Sequence, residues 1–154
     1  MKMKNTLKIA LCLTFGMFSC ILAKSELHYF DLQKALNNEQ VKAKLPKNVE
    51  FAFGLGSGEG TQIISQNLQI TQRYKRAFDN SLSIEYSCQM ALAQALTILA
   101  NRANMLQASK VVNIVGYTNS KGIKGIFNST EKFECLVRRA GTKSKITLQA
   151  DFAK

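Results

Sequence analysis

The chain is poor in the residues by which catalytic and metal-bearing proteins are recognised. Its 154 residues contain one histidine, His28, and no HExxH, GxSxG or clustered carboxylates. General acid–base catalysis needs two positioned titratable groups, and His28 stands in a polar stretch with no partner nearby. Four cysteines occur, none as CxxC, which excludes a thioredoxin-type motif and a structural zinc site. The sequence therefore reads as non-enzymatic, with no cofactor and no metal. Pro46 is the one proline, so a helix is forcibly stopped there only. Acidic residues number 10 against 21 Lys and Arg, a formal charge of +11.

Three of those lysines (Lys2, Lys4, Lys8) precede an uncharged apolar run from Ile9 to Ala23. At 15 residues the run is shorter than the about 20 that a membrane-spanning helix needs. A positive start, a short apolar run and a small residue at Ala23 read as a signal peptide over residues 1–23. The alternatives are an N-terminal anchor and lipidation at Cys20. The expectation is an exported protein, periplasmic or at the cell surface, with no integral span once the signal is removed. The remainder carries 18 basic and 10 acidic residues, a formal +8. Such a charge attracts polyanions without dictating a fold. Nucleic acid suits the charge but not the export signal.

Residues 24–48 read as a helical, polar lead-in with Asp31 as an N-cap, and residues 49–154 as one domain. Val49, Phe51 and Phe53 alternate in strand fashion. Gly54 to Gly60 follows, but it lacks the GK[ST] of a phosphate-binding loop and the third glycine of a dinucleotide fingerprint, and Glu59 would repel a phosphate. It reads as a flexible turn. The dominant pattern lies over residues 83–117. Cys88, Leu92, Ala95, Leu96, Leu99 and Ala103 recur at helical steps as one core-facing stripe, with Ser83 as N-cap. The strand Val111-Val-Asn-Ile-Val115 comes next, apolar on both faces and so central in a sheet. Asn113 within it reads as a structural hydrogen-bonder. Strands are expected near 49–53, 63–76, 110–117, 131–139 and 144–151, the last three forming a meander. Residues 118–130 read as a long basic loop containing a glycosylation sequon at Asn128. The fold class is α+β: one long helix packed on a mixed, mainly antiparallel sheet of about five strands.

Cys12 and Cys20 lie in the signal. Cys88 falls on the buried stripe of the helix and Cys135 on the apolar face of a strand, so the two should meet as a disulfide, the usual state outside the cytoplasm. Basic residues cluster beside aromatics at Arg73, Lys75 and Arg76, and again at Lys121, Lys124, Arg138 and Arg139. These seven are the candidate ligand-binding residues, on charge density alone.

The segments Lys44-Leu-Pro-Lys-Asn-Val-Glu-Phe-Ala-Phe-Gly54, Cys88 with Ala91 and Ala95-Leu96, Ala108-Ser-Lys-Val-Val-Asn-Ile-Val-Gly-Tyr117, and Phe133-Glu-Cys135 resemble a group of small exported bacterial proteins often labelled "excinuclease ATPase subunit". The resemblance spans residues 44–150. It departs at Ala108-Ser-Lys110, where the group tends to a Gly-Ala-Asn-like turn. No ATPase follows from the label, because Walker motifs and zinc cysteines are both absent. A more distant similarity, to the small α/β domain of heavy-metal-binding proteins and of an outer-membrane stress-sensor lipoprotein, implies fold alone. The leading functional expectation is an exported binding protein for acidic glycans of the sialic-acid type, or for anionic lipid or cell-wall polymer. The alternative is a structural or stress-signalling envelope module that binds partner proteins.

Overall fold

Alternation organises residues 143–153. Ser144, Ile146, Leu148, Ala150 and Phe152 are buried, while Lys143, Lys145, Thr147, Gln149 and Asp151 between them stay partly open to solvent. A period of two gives a strand one apolar face, and the rest of the molecule is built against that face. The computed structural model describes residues 25–75, 82–120, 123–138 and 143–154. Its elements are β1 (Ser25–Asp31), α1 (Leu32–Asn37), α2 (Glu39–Lys42), β2 (Glu50–Phe53), β3 (Ile63–Lys75), α3 (Ile84–Met105), β4 (Lys110–Ser120), β5 (Ile123–Phe127), β6 (Lys132–Arg138) and β7 (Lys143–Ala153). The signal-peptide and lipidation readings of residues 1–23 fall outside the described residues.

All seven strands belong to one mixed sheet. β3 runs antiparallel along the whole of β7, from Ile63 opposite Ala153 to Lys75 opposite Lys143. The other edge of β7 is divided. β4 takes the C-terminal half, with Lys110 opposite Ala153 and Gly116 opposite Leu148. β6 takes the N-terminal tip, through Leu136–Lys145 and Val137–Ser144. β1 continues the sheet beyond β6. The far side of β4 is shared by parallel β2 and antiparallel β5.

This architecture corrects the expected one. One long helix on about five strands is replaced by a mostly stranded chain, with seven strands in a single mixed sheet. Two strands lie where none was expected. β1 occupies the start of the lead-in, and β5 turns the expected basic loop into a hairpin arm paired with β4 from Gly116–Phe127 to Ser120–Ile123. The expected meander is also corrected, because β4 lies next to β7 and not in sequential order. Asp31 does cap α1, its carboxylate accepting from the Lys34 N–H at 2.6 Å.

α3 lies on the apolar face, against β7 and β3. Ser83 caps it by accepting from the Tyr86 N–H at 3.0 Å. Leu92, Ala95, Leu96 and Leu99 share one core with Ile146, Leu148, Phe152, Val111 and Ile114. A single apolar stripe describes only the C-terminal half of the helix. From Ser87 to Ala93 every residue is buried, because α1 and α2 cover its back. Val41 packs on Met90 and Ala93, and the Asn38 amide donates to Gln89 Oε1 at 2.8 Å. The alanines at 91, 93 and 95 keep the helix narrow enough to be enclosed on both sides. The Ser87 and Ser144 hydroxyls, buried at the helix–sheet contact, satisfy each other at 2.7 Å. Cys88 and Cys135 form a disulfide across the same contact, with Cα atoms 6.0 Å apart. Among the described residues no helix is long and apolar enough to cross a membrane.

Candidate functional site

The face of the sheet turned away from α3 is polar, and its charge is graded along the strands. Because Ile146 and Leu148 point inward, Lys143, Lys145, Thr147, Gln149 and Asp151 must point outward. The register sets β3 residues beside them: Lys75 opposite Lys143, Arg73 opposite Lys145, Thr71 opposite Thr147, Gln69 opposite Gln149. The Thr71 and Thr147 hydroxyls hydrogen-bond at 2.9 Å. At one end Asp151 is fully engaged, accepting from Asn67 N–H at 2.7 Å and from the Asn113 amide at 2.8 Å. At the other end the strip is cationic. β6 adds Leu136 beside Lys145, and the same register carried two residues on places Arg138 beside Lys143.

These strands enclose a cleft of about 280 Å³ lined by Arg73, Arg138, Lys143 and Lys145 together with Ser25, Leu136 and Ser144. Four cations and no carboxylate line it among the described residues, and none of the four makes an ion pair there. Neighbouring strands lie about 4.8 Å apart and alternate residues about 6.8 Å apart. The cations therefore form a grid about 10 Å by 7 Å. Leu136, with Leu27 opposite it on β1, supplies an apolar floor beside the grid.

Adjoining the cleft is a cavity of about 10 Å³, which Glu134, Thr118 and Tyr117 line with Leu136 and Lys145. Glu134 is 6% exposed. Its carboxylate accepts from the Thr118 hydroxyl at 2.6 Å. Burial pushes its pKa above the ordinary carboxylate value, and the Thr118 hydrogen bond pulls part of the way back.

The residues singled out from sequence are thus only partly brought together. Arg73 and Arg138 line the cleft, and Lys75 stands next to it opposite Lys143. Lys124 lies on the β5 arm opposite Asn119 and is not part of the lining. Arg76, Lys121 and Arg139 lie outside the described residues. Lys143 and Lys145 were missed. Their signal was present in the alternation of 144–150, which forces odd-numbered neighbours outward, but their alignment with Arg73 needs a register across some 70 residues of chain.

The glycine-rich loop is not a second site. Asn113, at a left-handed φ of 52°, accepts from the N–H groups of Gly56 and Gly58 at 2.9 and 3.2 Å. Its own N–H donates to Ser57 Oγ at 2.8 Å, and Asn128 Oδ1 accepts from Leu55 N–H at 2.9 Å. The amides that would cradle a phosphate are consumed by side chains of β4 and of the segment after β5, so the loop is a pinned turn and not a flexible one. The pinning also gives Asn128 a structural role. Set against known proteins, the chain matches no protein family, no curated protein and no solved structure.

Proposed function

We propose that this is an exported, non-enzymatic binding protein that holds an anionic ligand, an acidic glycan of the sialic-acid type, in the cleft between β3, β7 and β6. One observation carries the reading. Like charges directly opposite each other on adjacent strands are destabilising, yet Arg73–Lys145 and Lys75–Lys143 are two successive pairs of this kind, and Arg138 joins them across the cleft. A grid that carries such pairs, lined by no carboxylate among the described residues, is suited to an external anion. A guanidinium offers a planar fork to a carboxylate, and an ammonium a compact charge that rotates to suit. Ser25 adds a hydroxyl for a sugar oxygen. The oxidised Cys88–Cys135 pair supports export.

The test is binding of the full chain to immobilised polysialic acid across a salt series. Binding should weaken with salt at a log–log slope of about −2 to −3, as expected when three or four counterions are displaced. Replacing Arg138, Lys143 and Lys145 together by Gln should reduce affinity by about tenfold or more. Salt-independent binding, or a triple variant that binds like the parent, overturns the reading.

A further inference from the structure

The cleft and the cavity adjoining it share two residues, Leu136 and Lys145. Lys145 therefore stands between the ligand position and the buried Glu134. Glu134 cannot easily turn away. Its oxygen is held by Thr118, and its stem is packed so closely on β4 that a Cβ at Gly116 would lie 2.8 Å from its Cγ. The groups that face it are Lys145 and Thr147 from β7, Tyr117 and Thr118 from β4, and Tyr29, its register partner, from β1. Lys132 lies two residues away on its own strand. Of these, Lys145 and Lys132 are cations, and Lys145 alone also lines the cleft.

We propose that Glu134 is a proton-controlled counter-charge for the basic cleft: ionised, it offsets the field of Lys145; protonated, it leaves that field to the incoming anion. The inference rests on the anion-binding reading. It predicts tighter binding in acid and, because coupling between two sites is reciprocal, uptake of a proton when the anion binds. Burial of Glu134 favours its neutral form, which moves the transition from the ordinary carboxylate range toward milder acidity. At the spacing of about 7–8 Å between diagonal neighbours on adjacent strands and an effective dielectric constant of about 40, one unit charge changes affinity by about five- to tenfold.

The probe is sucrose octasulfate, whose charge is constant over the range, titrated calorimetrically into the full chain at about pH 4.5 and about pH 7.5 in fixed salt. The parent should bind about five- to tenfold tighter at the lower pH, and buffers of different ionisation enthalpy should reveal proton uptake near the transition. Glu134→Gln should bind at both pH values with the parent's low-pH affinity and take up no proton. Thr118→Val, which removes the hydrogen bond favouring the ionised form, should move the transition upward. His28, on the opposite face of β1 and beside Phe30, is the control: His28→Gln should keep the parent's pH dependence. A parent that binds equally at both pH values, or a Glu134→Gln variant that retains the dependence, overturns the counter-charge while leaving the cleft intact. No binding by the parent at either pH overturns both.

Discussion

Replacing Gly116 by Ala tests the packing on which the buried carboxylate depends. The added Cβ would meet Glu134 Cγ at 2.8 Å, Oε1 at 2.9 Å and Cδ at 3.0 Å. Native Cβ atoms essentially never come closer than 3.0 Å, so Glu134 must shift, and its carboxylate is tied to Thr118. Overpacking of this kind costs about 1–3 kcal/mol. Ala also restricts the unfolded chain, which returns about 0.4–1 kcal/mol where the backbone tolerates it. The net expectation is a loss of about 1–2 kcal/mol, read from urea unfolding with the disulfide intact. The decisive measurement is the same substitution in a Glu134→Ala background. With the obstructing atoms gone only the unfolded-state term remains, so Gly116→Ala should then stabilise by about 0.5 kcal/mol. The sign reverses, and the coupling between the two positions falls within the range seen for residues in contact. A neutral Gly116→Ala in the parent, or a penalty that persists without Glu134, refutes the reasoning.

Two further outcomes follow from the same structure. Reduction of Cys88–Cys135, or its replacement by Ala–Ala, opens a loop of about 48 residues and should cost about 4 kcal/mol on the chain-entropy account, measured as the shift in urea midpoint between oxidised and variant protein; a shift under about 1 kcal/mol would contradict it. The pH dependence of stability has a defined sign at Glu134. Its folded pKa is raised, so its contribution is fully present below the unfolded value and is lost as pH rises through the folded one. Unfolding free energies across this window should therefore show Glu134→Gln gaining on the parent with increasing pH and levelling off at neutrality; a difference that shrinks with pH would reverse the assignment.

The strands of the central sheet were legible wherever burial imposes a period. Ile146, Leu148 and Ala150 announce β7, and Val111 to Val115 announces β4, because both pack against α3. β1 was invisible for the opposite reason. It is an edge strand, and it sets Glu26 and His28 on the same face as Phe30, while Leu27 and Tyr29 lie on the other, so no single apolar alternation is written into it. β5 contains Gly125 and the exposed Lys124 and Ile126 on a two-stranded arm, which reads as loop by composition. Half of the cleft was legible as local density at Arg73 and Arg138. The other half depends on which residues of β7 lie opposite β3, a long-range register that single-chain periodicity cannot supply.

The disulfide has a consequence beyond stability. The cleft is assembled from two sides: Arg73, Lys143 and Lys145 belong to the β3–β7 pair, and Ser25, Leu136 and Arg138 to the β1–β6 pair. β6 meets β7 through two register pairs at its tip, and Cys135 near its middle is bonded to the helix that lies on β3 and β7. The covalent link thus fixes the gauge of the opening, since it sets how far one ribbon stands from the other. Before oxidation the two halves of the grid are joined by packing and by the short β6–β7 pairing at the strand tips. Thiol oxidation thus adds a covalent tie between the two ribbons that border the cleft.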